Sequence, residues 1–82
     1  MKRINNVEEL KLEIEKPDVL PIDFIYNNKE YEIVKYLNSE KPYCYADENL
    51  DKHYYLTIEE LLDNVRIENK KIEDILEDVE YF

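Results

Sequence analysis

Cys44 and His53 are the only thiol and the only imidazole in the chain. As a pair they would make a nucleophile and its base, with Asp47 or Asp51 orienting the ring, since thiolate chemistry needs an imidazolium or similar group to stabilise the sulfur. Nothing in their spacing enforces contact, and neither stands in a family signature. The simpler expectation is a buried Cys acting as a small hydrophobe and a His at a strand end. The run Asp47-Glu48-Asn49-Leu50-Asp51 offers oxygen ligands for a hard cation, but the turn glycine and full spacing of a calcium loop are missing. A solvated loop is expected there. One Cys and one His also exclude a Cys/His zinc site within one chain and an intrachain disulfide. With Gly absent altogether, phosphate-cradling loops, dinucleotide fingerprints and nucleophile elbows are excluded as well. The chain therefore reads as a non-enzyme with no catalytic residues, cofactor or metal.

Charge and tyrosine are what remain. The chain carries 21 acidic and 11 basic residues, a formal net charge of −10. Residues 1–46 hold nine acidic and seven basic groups, whereas residues 47–82 hold twelve and four. This sign argues against direct binding of nucleic acid or anionic lipid, which relies on Lys and Arg, and favours basic protein surfaces. The segment Ile58-Glu59-Glu60-Leu61-Leu62-Asp63-Asn64-Val65 recurs fourteen residues later as Ile72-Glu73-Asp74-Ile75-Leu76-Glu77-Asp78-Val79. In both copies the apolar residues fall at i, i+3, i+4 and i+7, one helical stripe. The carboxylates of Glu59, Glu60, Asp63, Glu73, Asp74, Glu77 and Asp78 are left to face a partner. On a continuous helix, Glu73 to Asp78 with Glu80 would place five carboxylates within about 10 Å at ~1.5 Å per residue. A DNA strand presents a phosphate every ~3.4 Å, so the line densities are comparable. The plain alternative is an ordinary solvated helix of an acidic protein.

Seven of the eight tyrosines lie between Tyr26 and Tyr55. Tyrosine suits interfaces because its large, stiff ring ends in a polar group, and Tyr43 and Tyr45 share one face of a strand. They join the candidate partner-binding set. The competing expectation is that the tyrosines simply pack the sheet against the helices.

These side chains need a scaffold, and local signals outline one. At 82 residues a single domain, 1–82, is expected. Asn6 and Glu9 form a capping-box pattern that starts a helix over 7–15 with Val7, Leu10 and Ile14 on one face; alternation of Leu10, Leu12 and Ile14 would instead support a strand. Pro17 ends the element either way. Val19 to Leu37 reads as a hairpin turning at Asn27-Asn28-Lys29, since Asn replaces Gly best where the backbone is left-handed. Tyr43–Ala46 and 53–56 are two further strands. Thr57 and Glu60 cap a helix. One helix over 58–80 is geometrically allowed, but polar Glu68 and Asn69 in the stripe predict a break, with Arg66-Ile67 extended. The predicted fold is α+β: an N-terminal helix, a three- to four-stranded antiparallel meander and two short acidic C-terminal helices. No apolar run reaches the ~18–20 residues of a membrane span, Met1 to Asn6 lacks a signal-peptide core, and a lone thiol suits a reducing compartment. A cytoplasmic protein is expected.

In size, in its Gly-free Asn turns and in the segments Thr57-Ile58-Glu59-Glu60-Leu61-Leu62 and Ile72-Glu73-Asp74-Ile75-Leu76, the chain resembles small acidic proteins of phages and mobile elements, among them DNA-mimic anti-CRISPR inhibitors. That resemblance implies an inhibitor that binds the nucleic-acid-binding surface of a basic protein, such as a nuclease or CRISPR effector. Two other classes fit the same residues: an immunity or antitoxin-like protein neutralising a basic toxin, and a homo-oligomeric accessory protein, for instance a homodimer.

Overall fold

The computed structural model describes residues 4–16 and 21–81, with Tyr81 described by its backbone alone. The expectations placed on Met1 to Arg3, on Pro17 and on Val19 lie outside them. Asn6 caps helix α1 (Val7–Ile14), its side chain accepting from the Glu9 backbone N–H at 2.9 Å. Leu10 and Ile14 are buried while Leu12 is 72% exposed. Helical rather than alternating burial decides between the two readings of this segment.

Strands β1 (Ile22–Tyr26) and β2 (Lys29–Lys35) pair antiparallel, with Tyr26 opposite Lys29. The turn is therefore the two residues Asn27 and Asn28, at φ 50° and 64°. Both central residues at positive φ is the hairpin turn whose twist matches its strands, and Asn tolerates it best after Gly. Strands β3 (Tyr43–Ala46) and β4 (Lys52–Tyr55) continue the meander. A fifth strand, β5 (Glu80–Tyr81), pairs with β1, giving the order β4-β3-β2-β1-β5.

Register assigns the two faces of the sheet, because residues directly opposite one another share a face and neighbours alternate. Ile22, Phe24, Tyr26, Tyr31, Ile33, Tyr43 and Tyr45 fall on one face and belong to the core cluster, with Tyr55 packed against it. The same cluster holds Leu10 and Ile14 of α1, Ile58, Leu61 and Leu62 of α2 (Ile58–Asn64), and Ile72 and Ile75 of α3 (Ile72–Ile75). All three helices thus cover one face. On the other, Val34, Cys44 and Ala46 are buried without belonging to that cluster.

The repeated segment breaks where polar residues interrupt its stripe. α2 ends at Asn64, and Ile67 and Lys70 form a two-residue hairpin through paired backbone bonds of 2.9 and 3.0 Å, with Glu68 and Asn69 at φ 52° and 67°. Among the described residues, no helix is long and apolar enough to cross a membrane.

Candidate functional site: an acidic helical surface beside a tyrosine ladder

The sheet fixes which side of each helix faces outward. Ile58, Leu61, Leu62 and Val65 point inward, and so do Ile72, Ile75, Leu76 and Val79. Helical spacing then leaves Glu59, Glu60, Asp63, Glu73 and Asp74 outward, and these five, with Glu77 and Asp78 beyond α3, are all exposed. Thr57 Oγ1 accepts from the Glu60 backbone N–H at 3.0 Å, which starts α2 with Glu59 and Glu60 in its first turn. Carboxylates there face the partial positive charge of the helix N-terminus. Residues 58–80 hold nine acidic side chains against the three cations Arg66, Lys70 and Lys71. Among the described residues, Glu59 lies 3.6 Å from Lys11 and Glu73 3.9 Å from Lys71. Both are exposed pairs of the kind that contribute little.

The even line of five carboxylates does not form. α3 stops at Ile75, a turn follows in which the Asp78 N–H donates to the Ile75 carbonyl at 2.9 Å, and Glu80 lies in β5. Pairing of Glu80 and Tyr81 with β1 pulls the chain out of the helix before Glu77. The exposed carboxylates are consequently spread over α2, the single turn of α3 and the bend after it. Their spacing does not reproduce a phosphate row.

Tyr43 and Tyr45 are not surface anchors. They are 9% and 6% exposed and face the helices, because β3 presents that parity to the core. The Tyr43 hydroxyl donates to Glu15 Oε1, and Lys35 Nζ approaches the same carboxylate at 2.7 Å. Hydrogen bonds from Lys35 and Tyr43 hold the Glu15 pKa below its ordinary value, tying the end of α1 to β2 and β3. Tyr45 belongs to a ladder of rings crossing the sheet: Phe24 to Tyr31 at 5.5 Å, Tyr31 to Tyr45 at 6.2 Å, and Tyr45 to His53 at 5.9 Å between centroids. Among the described residues the exposed tyrosine is Tyr54, 46% accessible on edge strand β4, with Leu56 just beyond it at 57%.

Cys44 and His53 are kept apart by register. Cys44 is opposite Tyr54 and His53 opposite Tyr45, so thiol and imidazole lie on opposite faces of the sheet. Burial pushes the Cys44 thiol pKa up, away from a reactive thiolate. His53 Nε2 lies 3.3 Å from Asp47 Oδ2, while Asp47 Oδ1 accepts from the N–H groups of Asn49 and Asp51 at 2.9 and 3.1 Å. The acidic run 47–51 is thus a loop organised by Asp47. Among the described residues, no cluster of three or more His, Cys, Asp or Glu side chains is disposed to hold a metal ion.

Sequence reasoning missed that β3 is buried on both faces and that a cavity opens beside the tyrosine ladder. The alternation of Tyr43 and Tyr45 with Cys44 and Ala46, none of them charged, was the available signal for a central strand. Comparison with known protein families, with curated proteins and with solved structures finds no match for this chain.

Proposed function

We propose that this protein is a non-enzymatic acidic inhibitor that binds a basic, nucleic-acid-binding surface of another protein in the cytoplasm and blocks access to it, in the manner of anti-CRISPR proteins that act on a nuclease or effector. One observation carries this reading: seven carboxylates of the repeated segment are exposed while the apolar residues of both copies are inside. Such exposed acid attracts basic surfaces over distances set by ionic strength. It acts by opposing charge over an area, without matching the pitch of DNA.

The test is capture of lysate proteins on the immobilised chain, elution by a salt gradient, identification, and competition of each purified binder against a labelled DNA duplex. The variant with Glu73, Asp74, Glu77 and Asp78 all changed to Lys should lose at least ~10-fold in affinity and flatten the salt dependence. Equal affinity in that variant, with its circular dichroism unchanged, would refute the charge-based reading. A second reading, an antitoxin-like protein gripping a basic toxin by shape, is favoured by the exposed Tyr54 and Leu56 on the sheet edge. Tyr54→Ala would then weaken binding more than loss of any single carboxylate, since buried aromatic anchors dominate such interfaces.

A further inference from the structure

A cavity of about 380 Å³ opens between the inner face of the sheet and the 67–70 hairpin. Tyr31, Tyr45 and Tyr55 wall it from the sheet, and Asp47, Glu48 and Glu68 supply carboxylates around it. Tyr31 and Tyr45 are each only 6% exposed, yet neither hydroxyl has a hydrogen-bond partner among the described residues, and no buried side-chain oxygen is left unsatisfied. Their hydroxyl oxygens must therefore reach solvent, and besides burial the groups acting on them line the cavity: Glu48, Lys29, Glu68 and Asp47 on Tyr31, and Tyr31, Asp47, Glu48 and Tyr55 on Tyr45. Two almost wholly buried rings thus keep hydroxyls that no described protein group occupies and that are open to a group entering from solvent.

We propose that this cavity seats the guanidinium group of an arginine side chain presented by a basic partner protein. The inference rests on the proposed engagement of such a partner and names one contact within it. Three features select the ligand. Burial first, then nearby groups that include Glu48 and Asp47, push both hydroxyl pKa values up, while Lys29 opposes this on Tyr31; the carboxylates around these oxygens suit a cation. The wall holds three carboxylates, Asp47, Glu48 and Glu68, against the cations Lys29 and Arg66. Lys29 pairs with Glu48 inside the cavity at 3.2 Å, and Arg66 is held by the carbonyls of Asp63 and Val65 at 2.7 and 2.9 Å, which leaves an excess of acid. Tyrosine rings offer faces to a planar cation, and a guanidinium presents five donors in a fixed fork to oxygens arriving from different elements. Glu68 and Asn64, from the helical side, complete the ring of polar groups, with Glu68 steadied by Asn27 at 2.6 Å. The volume lies at the small end of ligand sites, ~300–1,000 Å³, which suits one side chain.

The experiment titrates Nα-acetyl-arginine amide into isotope-labelled full chain and follows aromatic and backbone NMR signals. The expected result is a saturable shift of the Tyr31, Tyr45 and Tyr55 ring signals. The citrulline amide, equal in shape but uncharged, should give no saturable shift, and the lysine amide should bind more weakly. Tyr31→Phe and Tyr45→Phe, which keep the rings and remove only the hydroxyls, should each weaken binding by about fivefold or more. Equal shifts with the citrulline amide, equal affinity for the lysine amide, unaltered affinity in the Phe variants, or shifts confined to residues 73–78 would each overturn the assignment. If a Phe variant misfolds, Glu68→Gln on the exposed hairpin replaces it under the same criterion. Because the probe is used without a partner, its failure removes the arginine seat alone, whereas the charge-reversal capture tests the acidic surface separately.

Discussion

Asp23 and Glu32 stand directly opposite each other in the β1–β2 ladder, both half-buried on the sheet face that carries no helix. Like charges in that position destabilise a sheet, where favourable cross-strand pairs contribute ~0.2–1 kcal/mol. Burial first, then a hydrogen bond and repulsion from Asp23, raise the Glu32 pKa above its ordinary 4.5, against the pull of Lys52. A raised carboxylate pKa means that the folded chain takes up the proton at higher pH than the unfolded chain. The contribution to stability is fully present below pH 4.5 and is lost as pH rises through the folded value. At neutral pH the pair therefore opposes folding, and Glu32→Gln should relieve about 0.2–1 kcal/mol. For a domain of this size that is a rise in melting temperature of roughly 1–8 °C. Thermal unfolding followed by circular dichroism reads it, with Glu30→Gln as control; Glu30 lies on the same strand and face but opposite Ile25. The advantage of Glu32→Gln should vanish as the pH falls below 4.5, where the native glutamate is neutral as well. If Glu32→Gln matches Glu30→Gln at pH 7, or keeps its lead in acid, then neither burial nor repulsion from Asp23 penalises the charged Glu32.

Thr57→Ala removes the side-chain oxygen that accepts from Glu60 N–H at 3.0 Å; urea unfolding should show a loss of about 0.5–2 kcal/mol with the slope against denaturant unchanged. Cys44 is 1% exposed and burial raises its thiol pKa, so iodoacetamide should label it only as fast as the protein opens, with marked acceleration in urea; rapid native labelling would contradict the packing of β3.

Most of the fold was legible because its signals are local. A capping residue and its partner lie three positions apart, as at Asn6 and Glu9 or Thr57 and Glu60, and a hairpin is fixed by two residues, as at Asn27 and Asn28. The break after α2 was legible for the same reason, since Glu68 and Asn69 cannot occupy an apolar stripe. What failed was whatever depended on distant parts of the chain. β5 is two residues long, too short for any periodicity, and its pairing with β1 is decided about fifty-five residues upstream; that same pairing shortens the last helix. The orientation of Tyr43 and Tyr45 failed differently. Period-two alternation places them on one face together but does not say which face the helices will cover. Here both faces of β3 are buried, so no exposed position existed for them. The cavity was out of reach because Tyr31, Tyr45, Glu48 and Glu68 meet only once the sheet has formed.

The placement of charge along the helical segments bears on function more directly than its total. Carboxylates in the first turn of a helix are favoured by its dipole, and cations are favoured in the last. Glu59 and Glu60 obey this rule, and Thr57 caps the same end. Asp63 breaks it, since the last turn of α2 contains no basic residue, and Arg66 beyond the helix end supplies the missing cation to the Asp63 and Val65 carbonyls. Asp78 follows the end of α3, again where a Lys or Arg would suit the dipole better, and its last turn is likewise without a basic residue. Each misplaced carboxylate forgoes a contribution of ~0.3–1 kcal/mol near a helix terminus, and less at so short a helix, in a chain whose net charge of −10 already opposes compaction. At Asp63 and Asp78 the helix dipole gives no reason for acid, whereas the proposed basic partner does. Asp63→Lys and Asp78→Lys should accordingly stabilise the free protein while weakening its hold on a basic partner, and a variant that lost both together would locate these carboxylates in the fold instead.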